Sequence, residues 1–147
     1  MNKYEIRMTL LAGALLMVFL FSLLYNAFSR KIDVQQCLPY DAAFQKSLVK
    51  KITDSTYEVY IVTQMWSFGP DVITLPAGSE VNLYVTSKDV VHGFDIDKKG
   101  VNLMAIPGAL SSATVKFSEP GIYRVVCHEY CGIGHQNMQG QFIITNK

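Results

Sequence analysis

The stretch Cys127-His128-Glu129-Tyr130-Cys131-Gly132-Ile133-Gly134-His135-Gln136-Asn137-Met138 places two thiols, a spaced imidazole and a thioether within twelve residues. A further imidazole, His92, stands upstream in Val90-Val91-His92-Gly93-Phe94. Thiolate and thioether donors combined with imidazole suit copper, and a weak methionine ligand marks copper sites that carry electrons. A mononuclear site of that kind uses two His, one Cys and the weak Met, which leaves one of Cys127 and Cys131 surplus. Two thiolates can instead bridge two coppers, each metal meeting both sulfurs and one histidine. Met138 then serves one copper as a distant ligand, and a backbone carbonyl of the loop serves the other. A charge shared over two bridged metals changes each bond little when an electron arrives, which favours fast transfer. The alternatives are a Cys127–Cys131 disulfide and tetrahedral zinc on two Cys and two His, and neither uses Met138.

Such a loop needs a rigid support, and the residues around it repeat with the period of strands. Tyr57–Val62, Glu80–Val85, Ala113–Phe117, Gly121–Val126 and Gly140–Ile144 are short, rich in β-branched and aromatic residues, and separated by Gly, Pro, Asn, Asp and Ser. Residues 57–147 thus have the content and size of one Greek-key β-sandwich, with the Cys/His loop between its last two strands and His92 at a strand end.

Upstream, Met8 to Phe28 is a run of 21 residues without a charged side chain. As a helix it reaches roughly 30 Å, the thickness of a bilayer's hydrocarbon core. The run is longer than the apolar region of a cleaved signal and lacks a clear small-residue cleavage site after it, so residues 1–31 read as a membrane anchor. Lys3 and Arg7 before the run balance Arg30 and Lys31 after it, so charge does not set the orientation. Residues 32–56 form a polar linker in which Pro39 and Asp41 start a short helix, with Phe44, Leu48 and Ile52 on one side. Residues 57–147 carry six Lys or Arg against eight Asp or Glu, and no basic stripe is present to bind nucleic acid.

The pattern Cys127-x3-Cys131-x3-His135-x2-Met138 with the upstream Val-His-Gly-Phe resembles the CuA signature of subunit II of the haem-copper cytochrome c oxidases. The resemblance covers about residues 57–147. A single anchor, His135-Gln136-Asn137-Met138 and Trp66-Ser67-Phe68-Gly69 are similar to the B-family oxidases. This resemblance implies an all-β, cupredoxin-like Greek-key sandwich behind one N-terminal transmembrane helix, standing on the periplasmic side of a bacterial cytoplasmic membrane. It implies two copper ions bridged by Cys127 and Cys131, with His92 and His135 binding one each. Met138 is then the axial ligand beside His92, and the Glu129 carbonyl the axial ligand beside His135. The Glu129 carboxylate stands where many members reach a magnesium ion at the interface with subunit I, although B-family relatives often carry an amide there. Trp66 and Phe68 fall where the family places aromatic residues over the copper site, on the side that meets cytochrome c. His128 reads as a surface or interface residue, and Cys37, in the linker, as a free thiol.

The function so implied is electron transfer from cytochrome c, through the copper pair, to a haem in subunit I, with no oxygen chemistry on this chain. A membrane-bound copper chaperone or assembly factor would want exchangeable, exposed ligands, and a mononuclear carrier would need one cysteine fewer.

Overall fold

The computed structural model describes residues 2–29, 36–39, 44 and 46–146, with the backbone alone for 36–39. The chain divides into two units, Met1–Asp33 and Val34–Lys147.

The first unit is one helix, α1, over Lys3–Ser29. Glu5 in its first turn accepts a hydrogen bond from the Asn2 backbone N–H at 2.8 Å, placing negative charge at the positive end of the helix dipole. None of its side chains is buried. At 1.5 Å per residue it extends about 40 Å, so α1 is long and apolar enough to cross a bilayer once.

The second unit is built from strands β1 (Gln36–Pro39), β2 (Leu48–Lys51), β3 (Thr56–Gln64), β4 (Ser67–Gly69), β5 (Val72–Pro76), β6 (Ser79–Ser87), β7 (His92–Ile96), β8 (Val101–Ala105), β9 (Ala109–Phe117), β10 (Gly121–Val126) and β11 (Gln139–Thr145). Among the described residues they form two sheets. One runs β1-β9-β6-β3-β2, with β4 added to the end of β3, and the other runs β5-β11-β10-β7-β8. The alternation of apolar and polar residues decides which face of each strand turns inward. In β3 it buries Tyr57, Val59 and Ile61, in β6 Val81, Leu83 and Val85, and in β11 Phe142 and Ile144. Between the sheets Phe117 stacks on Phe142 with ring centroids 5.0 Å apart, and Phe94 meets Phe68 edge-on at 5.4 Å. The result is the cupredoxin-like sandwich that the sequence predicts, and the five expected strands lie within β3, β6, β9, β10 and β11.

Three expectations change. The linker helix does not extend through Leu48, because Leu48–Lys51 is a strand paired with β3, Leu48 opposite Tyr60 and Lys51 opposite Tyr57. Leu48 and Ile52, which were to share an apolar helix face, are both exposed, so a helix there would bury nothing, whereas the open edge of β3 offers backbone partners. Residues 40–43 and 45 of that expected helix lie outside the described residues. The sandwich also begins before residue 57, since β1 pairs with β9. Phe68 is the third correction. In β4 it lies opposite Thr63 and is only 3% exposed, so it belongs to the core rather than to a surface that a partner could touch.

Candidate metal centre

Strands β10 and β11 pair in register from Gly121–Ile144 up to Val126–Gln139, and the loop of Cys127 to Met138 springs from that end. Its neck is closed by the Cys127 N–H donating to the Met138 carbonyl at 3.3 Å. Inside it, His135 N–H donates to Gly132 C=O, Asn137 N–H to Gly134 C=O and Met138 N–H to His135 C=O, winding His135–Asn137 into a single 3-10 turn. Gly132 has φ +115°, a value that L side chains rarely adopt and that lets the loop reverse. This folding turns Cys127, Cys131, His135 and Met138 toward one another. Beside β10, β7 pairs Asp95 with Val126, which sets its first residue, His92, against the same loop.

The sulfurs of Cys127 and Cys131 lie 3.7 Å apart, Cys131 Sγ is 3.6 Å from His135 Nδ1, and Cys131 Sγ is 3.8 Å from Met138 Sδ. Cys127 Sγ is 3.2 Å from the Glu129 carbonyl oxygen. The ligand atoms of His92, Cys127 and Cys131 all fall within 4.8 Å of one another. A disulfide bond is about 2.05 Å long, so the two thiols are not joined. His92, Cys127, Cys131 and Met138 are buried, while His135 is half-buried.

His92 carries the strongest sign that something is meant to sit here. Its Nε2 is 2.8 Å from Asp89 Oδ1, whereas its Nδ1 is buried and has no hydrogen-bond partner among the described residues. Leaving such a group unsatisfied costs about 1–3 kcal/mol, and a metal ion beside the thiols removes that cost. Burial, reinforced by the hydrogen bond and charge of Cys127, pushes the Cys131 thiol from 9.0 up to about 11. Cys131 therefore holds its proton at neutral pH without metal, and metal binding there must displace it. Thiolate, thioether and imidazole donors in one buried pocket fit copper. A zinc site would leave the nearby Met138 Sδ unused.

Around the ligands, Trp66 sits in the two-residue turn between β3 and β4. It is 42% exposed, with its Nε1–H donating to the Cys131 carbonyl at 3.1 Å. Its ring lies on the loop so closely that a Cβ at Gly134 would be 2.4 Å from Trp66 Cδ2. Thus Trp66 lies on the exposed side of the cluster and Phe68 does not. Glu129 places its carbonyl toward Cys127, while its carboxylate lies 3.6 Å from His128 Nδ1 and is 46% exposed. His128, whose side chain is 27% exposed, packs over Gly93, where a Cβ would meet the His128 backbone nitrogen at 2.6 Å. Sequence reasoning overlooked Asp89 and met Gly93 only as part of Val-His-Gly-Phe, without a role of its own. The signal for Asp89 is its position three residues before His92, near enough for a carboxylate to fold back onto the imidazole.

The model of the family described as cytochrome c oxidase subunit II, periplasmic domain, matches residues 44–145. A cytochrome c oxidase subunit 2 of Thermus thermophilus and one from a named strain of that organism are each 39% identical over 88 residues, 60% of this chain. The chain spans 65% and 52% of the lengths of those two relatives. A chain of a haem-copper terminal oxidase dimer solved by cryo-EM superposes with TM-score 0.84 at 41% identity, covering 97% of this chain and 100% of that one. A Cys/His/Met loop of this composition on this sandwich and a family match over residues 44–145 agree: the chain belongs to the cytochrome c oxidase subunit II family.

Proposed function

We propose that this chain is the electron-transfer subunit of a haem-copper terminal oxidase. In this reading it accepts electrons from a cytochrome c and passes them to a haem in subunit I, where oxygen is reduced. The observation that carries it is the pair of unjoined, buried thiols 3.7 Å apart, flanked by the partnerless His92 Nδ1, His135 Nδ1 and Met138 Sδ. Cys127 and Cys131 would hold two coppers between them, His92 and His135 would supply one imidazole to each, and Met138 and the Glu129 carbonyl would act as weaker further ligands. The copper pair would supply a one-electron store whose bonds change little on reduction. The chain's own residues prepare the rest. The strand ends hold the donors in place, burial excludes water and exchange partners from His92 and Met138, and Trp66 presents an aromatic face outward over Cys131. Buried ligands also disfavour a copper chaperone, which must hand its metal to an acceptor.

In the same reading α1 anchors the chain in a bacterial cytoplasmic membrane with the sandwich on the periplasmic side, as the matched family model's description suggests. The half-exposed Glu129 carboxylate would meet a magnesium ion at the surface facing subunit I, and Glu129→Gln in the assembled oxidase should then lower bound magnesium while leaving copper content intact.

The test is electron paramagnetic resonance of the copper-loaded full chain in detergent. One unpaired electron shared over two copper nuclei is expected, and a four-line spectrum from one copper would overturn the bridged assignment. Cys127→Ser or Cys131→Ser should abolish the shared signal. Met138→Leu should keep it with a changed reduction potential, and the reverse order of damage would refute the assigned roles.

A further inference from the structure

Asp89 lies outside the ligand set, yet its two carboxylate oxygens hold two different parts of the site. Oδ1 is 2.8 Å from His92 Nε2 and accepts from the Val90 N–H at 2.7 Å and the Ser87 hydroxyl at 3.2 Å. Oδ2 accepts from the Met65 N–H at 2.7 Å, the residue before Trp66 in the β3–β4 turn. His92, whose ring this carboxylate grips, is 0% exposed, leaves Nδ1 without a hydrogen-bond partner among the described residues, and brings a ring nitrogen within 4.8 Å of both thiols.

A carboxylate is an acceptor only, so the nitrogen it faces must carry the proton. We propose that Asp89 is a positioning residue: it fixes the proton of His92 on Nε2, leaving the Nδ1 lone pair aimed at the thiol pair, and with its other oxygen ties the Trp66 turn to the same point. The proposal rests on the reading of His92 as a copper ligand. Two physical consequences follow. An imidazole preset in the metal-binding tautomer spends nothing on reorienting, and an anionic partner makes it a better electron donor. Stronger donation favours the more positive, oxidised state of a bound metal, so Asp89 holds the reduction potential down.

The informative variant is Asp89→Asn, which has the same shape and can still cap the Val90 N–H to keep the turn. Its amide cannot satisfy both sides. With its oxygen on His92 its NH2 faces the Met65 N–H, and with its oxygen on Met65 its NH2 faces His92 and favours the wrong tautomer. The full chain in detergent, with its three histidines 15N-labelled, would be studied by long-range 15N–1H correlation without metal and by copper titration and redox titration with it. Wild-type His92 should carry its proton on Nε2. Asp89→Asn should give mixed tautomers, about 10- to 100-fold weaker copper binding, an upward shift in potential of about 59 mV for each tenfold change in the oxidised-to-reduced stability ratio, and altered Trp66 fluorescence. Unchanged tautomer, affinity and potential in Asp89→Asn would overturn the proposal and leave Asp89 a turn-forming residue. Should that variant not fold, the wild-type spectrum decides, because a proton on Nδ1 of His92 excludes the role outright. Failure of the wild type to bind copper would instead sink the copper reading, and the metal-free tautomer would still report on Asp89.

Discussion

Gly134→Ala tests whether Trp66 is seated on the loop of Cys127 to Met138 as the geometry requires. Gly134 has φ −89° and ψ 5°, which any L residue accepts, so the whole effect of the substitution comes from contact. The new methyl would lie 2.4 Å from Trp66 Cδ2 and 2.7 Å from both Cγ and Cε3. Carbon atoms settle about 3.5–4.0 Å apart, so the ring must retreat by about 1 Å or more. The Trp66 Nε1 to Cys131 oxygen distance is 3.1 Å, and such a retreat takes it beyond hydrogen-bonding range. Losing that bond costs about 1 kcal/mol, and exposing part of the ring, on the order of 50–80 Å² at about 25 cal/mol per Å², adds about 1–2 kcal/mol. A loss of about 2–3 kcal/mol in unfolding free energy is expected. The chain has one tryptophan, so its fluorescence reports this site without interference from another indole. Excited at the red edge of the tyrosine band, Gly134→Ala should emit at longer wavelength and be quenched more readily by iodide, while copper content stays normal because no ligand has moved. An unchanged emission and quenching would show that the ring does not rest on Gly134. Loss of copper alongside the spectral change would show that the loop, not the ring, gives way.

Under the proposed function, Trp66→Ala should slow reduction of the intact oxidase by a cytochrome c in stopped flow while sparing the copper spectrum, with mild salt dependence; an unaltered rate would remove Trp66 from the proposed electron path. Phe68→Ala, by contrast, should destabilise the sandwich by about 3–5 kcal/mol in urea titration and leave donor kinetics untouched once the variant is folded. Gly93→Ala should be worse for the site than Gly134→Ala, since its Cβ meets the His128 backbone nitrogen at 2.6 Å and forces the chain next to Cys127 to move, so copper binding should be lost. In the metal-free chain the buried Cys131 thiol, raised from 9.0 to about 11, favours folding most while both states are protonated below 9.0. That contribution should fade as pH rises through about 11, and a metal-free unfolding series flat across this window would contradict it.

Much of the centre was legible in the sequence because its donors are local. Cys127, Cys131, His135 and Met138 are close enough along the chain that their types and spacing alone name a soft-metal loop, and the five strongest strands announce themselves through β-branched alternation. The anchor is legible for a similar reason, since a long uncharged run determines its own fate in a bilayer. What the sequence could not settle are the relations carried by contacts between distant segments. Trp66 and Phe68 stand two residues apart with similar apolar character, and only the β3–β4 turn and the Phe94 ring beneath it decide that one faces outward over Cys131 and the other fills the core. Leu48 and Ile52 carry helical spacing, yet an open strand edge outbids a helix that has no apolar surface to cover. Asp89 looks like an ordinary turn residue until the fold brings Met65 and the His92 ring to its two oxygens, because a carboxylate's role depends on which donors surround it, and tertiary packing alone assembles those donors.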